Sequence, residues 1–269
     1  MKVQQVIDAI LDDCQVRLPE DKTCDILVSG SKDMEVTGIV TTFMATVDVI
    51  REAASRGANM IITHEPTWFT GADNTEWLLE DPVYREKKRL IEEHQVAIWR
   101  FHDHMHMAKP DRIYDGLNKE LGWEHVYRND GAFSHIYDIE TTTLTELAGF
   151  FKSKLGMDVI RIVGKPDMNC SKVGILVGGG SLGLGKEYMP MEFMREHELD
   201  VVVCGEITEW TLCAYVNDAQ MLGLNKAMIV LGHERSEEWG MKHMADWLRS
   251  LVNGIPVTFI DSKEPFQYV

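Results

Sequence analysis

Short runs of β-branched and apolar residues recur along this chain between longer stretches whose apolar positions return every three or four residues. The short runs predict strands at 25–28, 38–42, 60–63, 96–101, 173–177, 201–204, 227–231 and 257–260. The clearest longer stretches predict helices over 47–56, where Ile50, Ala53 and Ala54 share a face, and over 236–251, where Met241, Met244, Ala245 and Leu248 do. Such alternation points to an α/β fold with mostly parallel sheets and helices on their faces. The stretch 129–140 shows neither period and reads as a passage between two lobes. No internal repeat, low-complexity tract or proline-rich linker interrupts the pattern.

Ligands of open α/β sheets bind beyond the carboxyl ends of the strands, and three of the predicted strands end in chemistry. Met-Ile-Ile-Thr runs into His64-Glu65, Ala-Ile-Trp-Arg-Phe into His102-Asp103-His104-Met105-His106, and Ala-Met-Ile-Val-Leu into Gly232-His233. A lone histidine at a strand end is ordinarily a hydrogen-bonded structural residue. Three such ends carrying imidazoles and carboxylates point instead to a metal centre, because zinc, iron and manganese accept both ligand types together.

The spacing within each segment selects among the donors. If 102–106 stays extended, His102, His104 and His106 face one side while Asp103 and Met105 face the other. A turn changes that selection. His233 and Glu237 lie four residues apart at the start of a predicted helix, so both project from one face within reach of one ion. The acids at 234–238 equally suit a helix start that complements the dipole. Both roles can hold together, with Glu234 or Glu238 serving the helix and Glu237 the metal.

Composition then removes several classes of function. The 269 residues are 45% hydrophobic and 26% charged, a balance typical of folded soluble proteins with one large or two smaller cores. With 27 Lys plus Arg against 43 Asp plus Glu, a formal charge of −16 and no dense basic run, direct nucleic-acid binding is not expected. Cys14, Cys24, Cys170, Cys204 and Cys213 are scattered without a Cys-x-x-Cys pair, which argues against a disulfide framework or a thiolate zinc site and fits a reducing compartment. The first residues carry acids where a signal peptide has an apolar core, and no stretch reaches the roughly 18 apolar residues of a membrane helix. The expectation is a cytoplasmic protein with no membrane contact.

These segments resemble the NIF-three-like dinuclear metal-centre proteins, often described as type 2 GTP cyclohydrolase I. Ala58-Asn59-Met60-Ile61-Ile62-Thr63-His64-Glu65-Pro66 is similar to the family's strand ending in His-His-Pro, and Phe101-His102 through His106 to its Ala-His-x-x-x-Asp segment. Asp200 through Glu206 is similar to its Thr-Gly-Glu segment, and Gly232-His233-Glu234-Arg235-Ser236-Glu237 to its Gly-His-x-x-x-Glu motif. Glu65 stands where the family usually has its second His, and His106 where it usually has Asp. The inventory of four histidines and two carboxylates survives as His64, Glu65, His102, His106, His233 and Glu237; the resemblance helps rank His102 and His106 above His104, and Asp103 last. Neutral imidazoles leave such a site two negative charges, suited to two divalent ions, zinc, iron or manganese, bridged by hydroxide.

The resemblance further implies two interlinked α/β lobes with mostly parallel or mixed sheets and the metal site in the cleft between them. The first lobe would comprise residues 1–128 plus about 232–269, and the second about 129–231. It implies a homohexameric toroid with its metal sites facing an internal cavity, and the chain's length implies that an extra domain inserted in some members is missing. The function it implies is a metal-dependent hydrolase of a small molecule, with a purine nucleotide the substrate named by the family label. The rival reading is a non-catalytic metal-binding assembly or regulatory protein. Glu237 and Glu206 are the candidate catalytic acids, Glu206 serving alternatively as a helix-start carboxylate.

Three other features bear on chemistry. Val177-Gly178-Gly179-Gly180-Ser181-Leu182-Gly183-Leu184-Gly185 lacks the Ser or Thr that follows the lysine of a phosphate-binding loop, so it reads as a tight turn with close backbone packing or as a lining of the metal cleft. Arg235 is placed to pair with an anionic substrate or with a surface acid. The 15 methionines fall mostly at helical spacing and read as core filler rather than soft-metal ligands.

Overall fold

A computed structural model describes residues 1–129 and 135–269. In chain order the elements are α1 (Val3–Cys14), β1 (Leu27–Ser29), β2 (Ile39–Thr42), α2 (Val47–Ser55), β3 (Met60–Thr63), α3 (Pro82–Glu93), β4 (Ala97–Arg100), α4 (Asp103–Met107), α5 (Arg112–Leu121), β5 (Tyr127–Asn129) and β6 (His135–Thr143). They continue with α6 (Leu144–Lys154), β7 (Arg161–Val163), β8 (Asn169–Leu176), α7 (Met189–Glu196), β9 (Val201–Cys204), α8 (Ala214–Met221), β10 (Ala227–Val230), α9 (His233–Leu248) and β11 (Val257–Phe259). Contacts divide the chain into two compact units, Met1–Gly116 with Glu238–Lys263, and Leu117–Glu237 with Glu264–Val269. Their limits fall inside α5 and α9, against the positions near 129 and 232 read from sequence. A helix that runs through a unit boundary leaves no linker composition to find.

The first unit is built on a five-stranded sheet in the order β1-β4-β3-β2-β11, parallel except for β1, which runs antiparallel to β4 at the edge. All residues of β2, β3 and β4 are buried, the continuous apolar pattern of parallel strands covered on both faces. Val40, Ile61 and Ile98 pack with Val49, Ile50 and Ala53 of α2 and Leu90 and Ile91 of α3. Each aliphatic side chain fully buried there stabilises the fold by about 1.5–3 kcal/mol. Local caps fix where the helices begin: the Thr46 side chain accepts from the Val49 N–H, and Asp81, with Pro82 following, accepts from Val83 and Tyr84.

The second unit holds a six-stranded mixed sheet in the order β5-β6-β8-β9-β10-β7. Its centre, β8, β9 and β10, is parallel, with Leu176 level with Cys204 and Cys204 level with Val230. Val202, Cys204, Met228 and Val230 form the sheet side of its core, against Phe193 and Met194 of α7 and Val216 of α8. The flanking strands β5, β6 and β7 run antiparallel, and none was predicted. β5 and β7 are three residues long, and β6 is buried only over its first three residues, so no period of two develops. Of the stretch 129–140, read as an inter-lobe passage, residue 129 ends β5, residues 135–140 belong to β6, and 130–134 lie outside the described residues. Among the described residues no helix is long and apolar enough to cross a membrane.

Two features of the first unit carry measurable consequences. Helices α5 and α9 approach through glycine: a Cβ on Gly116 would stand 2.6 Å from Gly240 Cα and from the Trp239 carbonyl oxygen. Gly116→Ala is therefore expected to cost about 1–3 kcal/mol from overpacking, against less than about 1 kcal/mol gained in helix propensity. The urea midpoint should fall; an unchanged midpoint would mean the helices separate freely.

Lys87 of α3 is buried, donates from Nζ to the Thr67 carbonyl at 2.8 Å, and lies over the rings of Trp68 and Phe69. Burial pushes its ammonium down to about 8, with Asp73 opposing the shift. Because this folded-state value lies below the ordinary 10.5, the unfolded chain binds the extra proton across that window, and stability rises with pH from about 8 to 10.5 through this group. Wild type and Lys87→Met compared by urea unfolding at several pH values should differ in that slope, the variant losing it. Parallel curves would show that Lys87 does not titrate as its burial requires.

Candidate metal centre

In the first unit the register of the sheet creates a cluster of imidazoles. Thr63 pairs level with Arg100, so the adjacent parallel strands β3 and β4 end side by side and deliver His64-Glu65 and Phe101-His102 together. The chain then turns into α4, which makes His102 and His106 neighbours four residues apart. The rings of His64 and His102 stack with centroids 4.5 Å apart, and His106 sits edge-on at 5.0 Å from each. One ligand nitrogen from each of the three lies within 4.8 Å of the others. Nitrogens sharing one tetrahedral ion stand roughly 3.3–3.5 Å apart, so modest ring movements suffice. Glu65 joins them, its Oε1 3.7 Å from His102 Nε2.

His104 belongs elsewhere, and α4 is the reason. An extended 102–106 segment would align all three histidines, whereas the helix turns His104 away to Asp25, with Nδ1 2.7 Å from Oδ2. Its Nε2 accepts from the Leu18 N–H at 3.3 Å, so both ring nitrogens serve the fold. Asp25 also receives the backbone N–H groups of His102, Asp103 and His104 at 2.7, 2.7 and 3.1 Å, closing the start of α4 with a carboxylate 77 or more residues away in sequence. Asp103 is likewise engaged, with His102 Nδ1 and the Cys24 N–H. The hydrogen bond from His102, ahead of an opposing burial effect, holds the Asp103 carboxyl well below the usual range. The neighbouring Cys24 thiol is pushed up to about 12, chiefly by burial, against the pull of Arg100.

In the second unit the parallel ends of β8, β9 and β10 lead to Gly178, Glu206 and His233. His233 and Glu237 share a face of the first turns of α9, with Nε2 and Oε2 3.0 Å apart. His233 Nδ1 meets Glu206 Oε1 at 3.0 Å. The glycine-rich run closes over this group. Gly178 adopts φ +49°, and a Cβ there would lie 2.0 Å from Glu237 Oε1 and 2.7 Å from His233 Nε2. Gly205 is excluded from carrying a side chain in turn by the backbone of Gly178, 2.3 Å from where its Cβ would stand. Ser236 Oγ accepts from the Gly178 N–H and donates to the His233 carbonyl, while Ser181 donates to the carbonyl of Glu206. Close backbone packing and lining of the histidine group are therefore one feature. Arg235 pairs with the acid beside it, its Nε 3.2 Å from Glu234.

The four candidate histidines share one property. Nδ1 of His64 faces the Phe101 carbonyl at 3.4 Å, that of His102 faces Asp103 at 2.9 Å, that of His106 faces Asp111 at 3.0 Å and that of His233 faces Glu206 at 3.0 Å. An acceptor at Nδ1 keeps the proton there and leaves the lone pair on Nε2, the tautomer of a metal-ligating imidazole. His102 and His233 each have a further carboxylate beside Nε2, Glu65 and Glu237 respectively, a position that favours a cation between them. Donor type, tautomer and the cradle at Gly178 all fit borderline divalent metals.

Sequence reasoning missed Asp25, Asp111 and Ser236. Asp111 alone carried a local signal, standing five residues beyond His106 and capping α5 through the Ile113 and Tyr114 N–H groups. Asp25→Asn would oppose an amide to donors that now meet a buried carboxylate. The expected cost is about 2–3 kcal/mol, read as a lower urea midpoint; a midpoint equal to wild type would show that α4 forms without this anchor.

A Clostridium perfringens protein named GTP cyclohydrolase 1 type 2 homolog is 23% identical over 280 residues, covering all of both chains. A Clostridium acetobutylicum protein of the same name is 26% identical over 246 residues, 88% of this chain and 85% of its own. The crystal structure of a Bacillus cereus protein related to NIF3 superposes with a TM-score of 0.76 at 18% identity, covering 100% of this chain and 99% of that one. The family model for Duf34/NIF3 (NGG1p interacting factor 3) matches residues 1–265, and the chain belongs to that family.

Proposed function

We propose that His64, Glu65, His102 and His106 from the first unit and His233 and Glu237 from the second hold two divalent metal ions, and that the protein is a metal-dependent hydrolase of a small molecule. The observation that carries this reading is the shared placement of Nδ1 on an acceptor in all four histidines, while His104, with both nitrogens committed to the fold, drops out. Nitrogen and carboxylate donors suit zinc, iron or manganese. Bound there, such ions would supply Lewis acidity and a nucleophile from water at neutral pH.

The protein's own residues divide the remaining work. Glu237, 4% exposed, is placed as a ligand held against Gly178. Glu206 is 45% exposed, so while one oxygen holds His233 Nδ1 the carboxylate still reaches solvent and can receive or return a proton. Asp103 and Asp111 fix the ring orientation of His102 and His106. The name of the clostridial relatives makes GTP the first substrate to test. The homohexameric toroid is part of the same reading, to be checked by light scattering.

Metal analysis of protein purified without chelator should give about two equivalents per chain. Glu237→Gln should lose at least one equivalent together with any turnover on GTP and a panel of phosphate esters and amides. Glu206→Gln should retain the stoichiometry but bind about 10–100-fold more weakly. Metal content untouched by Glu237→Gln would overturn the ligand assignment. Full metal with no turnover on any member of the panel would favour the non-catalytic alternative.

A further inference from the structure

The second unit contains a cavity of about 490 Å³ that the metal assignment leaves unused. Its apolar lining includes the partly exposed Val163, Ile207 and Ala214 beside the buried Met228 and Val230, and polar groups reach it from Arg161, Glu209 and Asn217. An apolar wall with a few placed polar groups, at this volume, is the usual make-up of a small-molecule site.

Its location and its charges restrict the occupant. β7 pairs antiparallel with β10 so that Arg161 stands opposite Val230, at the carboxyl end of a parallel strand and three residues before His233. That separation spans at most roughly 10 Å of chain. Ile207, also in the lining, directly follows Glu206. The cavity therefore adjoins the His233 group through two short connections. Arg161 is exposed and its side chain forms no hydrogen bond or ion pair with the described residues, so its planar fork of donors is available to an anion. Glu209 provides the opposite charge: it raises the Cys213 thiol's resistance to ionisation while Arg161 lowers it, and burial outweighs both. Cys213 lines the same cavity as a neutral thiol. A carboxylate fits beside Arg161, whereas a doubly charged group would meet repulsion from Glu209.

We propose that this cavity binds a small, flat, singly anionic molecule, with its ring against Val163 and Ile207, its carboxylate on Arg161 and a hydrogen-bond donor turned to Glu209. As a subsite for a substrate it rests on the hydrolase reading; as a binding site it stands without it.

The test is fluorescence titration of the full chain with 6-amino-2-naphthoate, once after metal removal by chelator and once after loading with zinc. Saturable binding is expected in both states. Arg161→Ala should weaken it by about tenfold or more, as loss of a charge-assisted pair does, and the uncharged methyl ester should bind wild type as weakly. Ala214→Trp, at a lining position, should fill the space and abolish binding while zinc content stays at the wild-type level. Should that variant fail to fold, Arg161→Ala, at an exposed position, decides. No saturable binding, or equal affinity in wild type and Arg161→Ala, overturns the proposal even if zinc is retained. Arg161-dependent binding by a chain that retains none of zinc, iron or manganese overturns the hydrolase reading and leaves the cavity assignment standing.

Discussion

Parallel strands paired in register finish at one level, and the chemistry of both units hangs on that constraint. Thr63 and Arg100 close β3 and β4 side by side, which is why two histidine segments 38 residues apart in sequence can stack their rings. Leu176, Cys204 and Val230 close β8, β9 and β10 in the same way, bringing a glycine loop, a carboxylate and a histidine together. A slip of one residue in either sheet would turn these strand ends to the other face. The fully buried strands resist such a slip because every side chain in them is packed on one side or the other.

Packing and chemistry also meet in the glycines. Gly178 has no room for a Cβ because Glu237 and His233 occupy that volume, and Gly205 has none because Gly178 does. The backbone thus serves as the wall of the group, and Ser236 fastens it by accepting from Gly178 while donating to His233. A side chain at Gly178 would displace the Glu237 carboxylate, and one at Gly205 would displace the Gly178 backbone that walls it.

What could be read from the sequence was what depends on neighbours along the chain. The parallel strands announced themselves as apolar runs, and His233 with Glu237 as a helical pair. The antiparallel strands β5, β6 and β7 were hidden because they are short or only partly buried. Within 102–106 the period could not choose between a turn and an extended segment. That choice is made by Asp25, whose carboxylate gathers three N–H groups at the start of α4 from 77 or more residues away. The same distance hid the role of His104, which looks like its neighbours in sequence and differs only through its contacts with Asp25 and Leu18.

The two departures from the family's usual pattern now have a physical setting. By the resemblance read from the sequence, Glu65 would stand for an imidazole and His106 for a carboxylate, and both lie in the first unit, beside His64 and His102. Exchanging the two donors within one cluster preserves its count of imidazoles, its count of carboxylates and its formal charge. What changes is which donor comes from the rigid strand end and which from the helix. His106 is held at Nδ1 by Asp111, so the helical position gains an oriented imidazole. Glu65 stands on the segment tied down by the buried Arg100–Asp73 pair and by Lys87 on the Thr67 carbonyl. A carboxylate in that position has its backbone fixed and lies against His102 Nε2, which keeps the exchange compatible with a defined donor set.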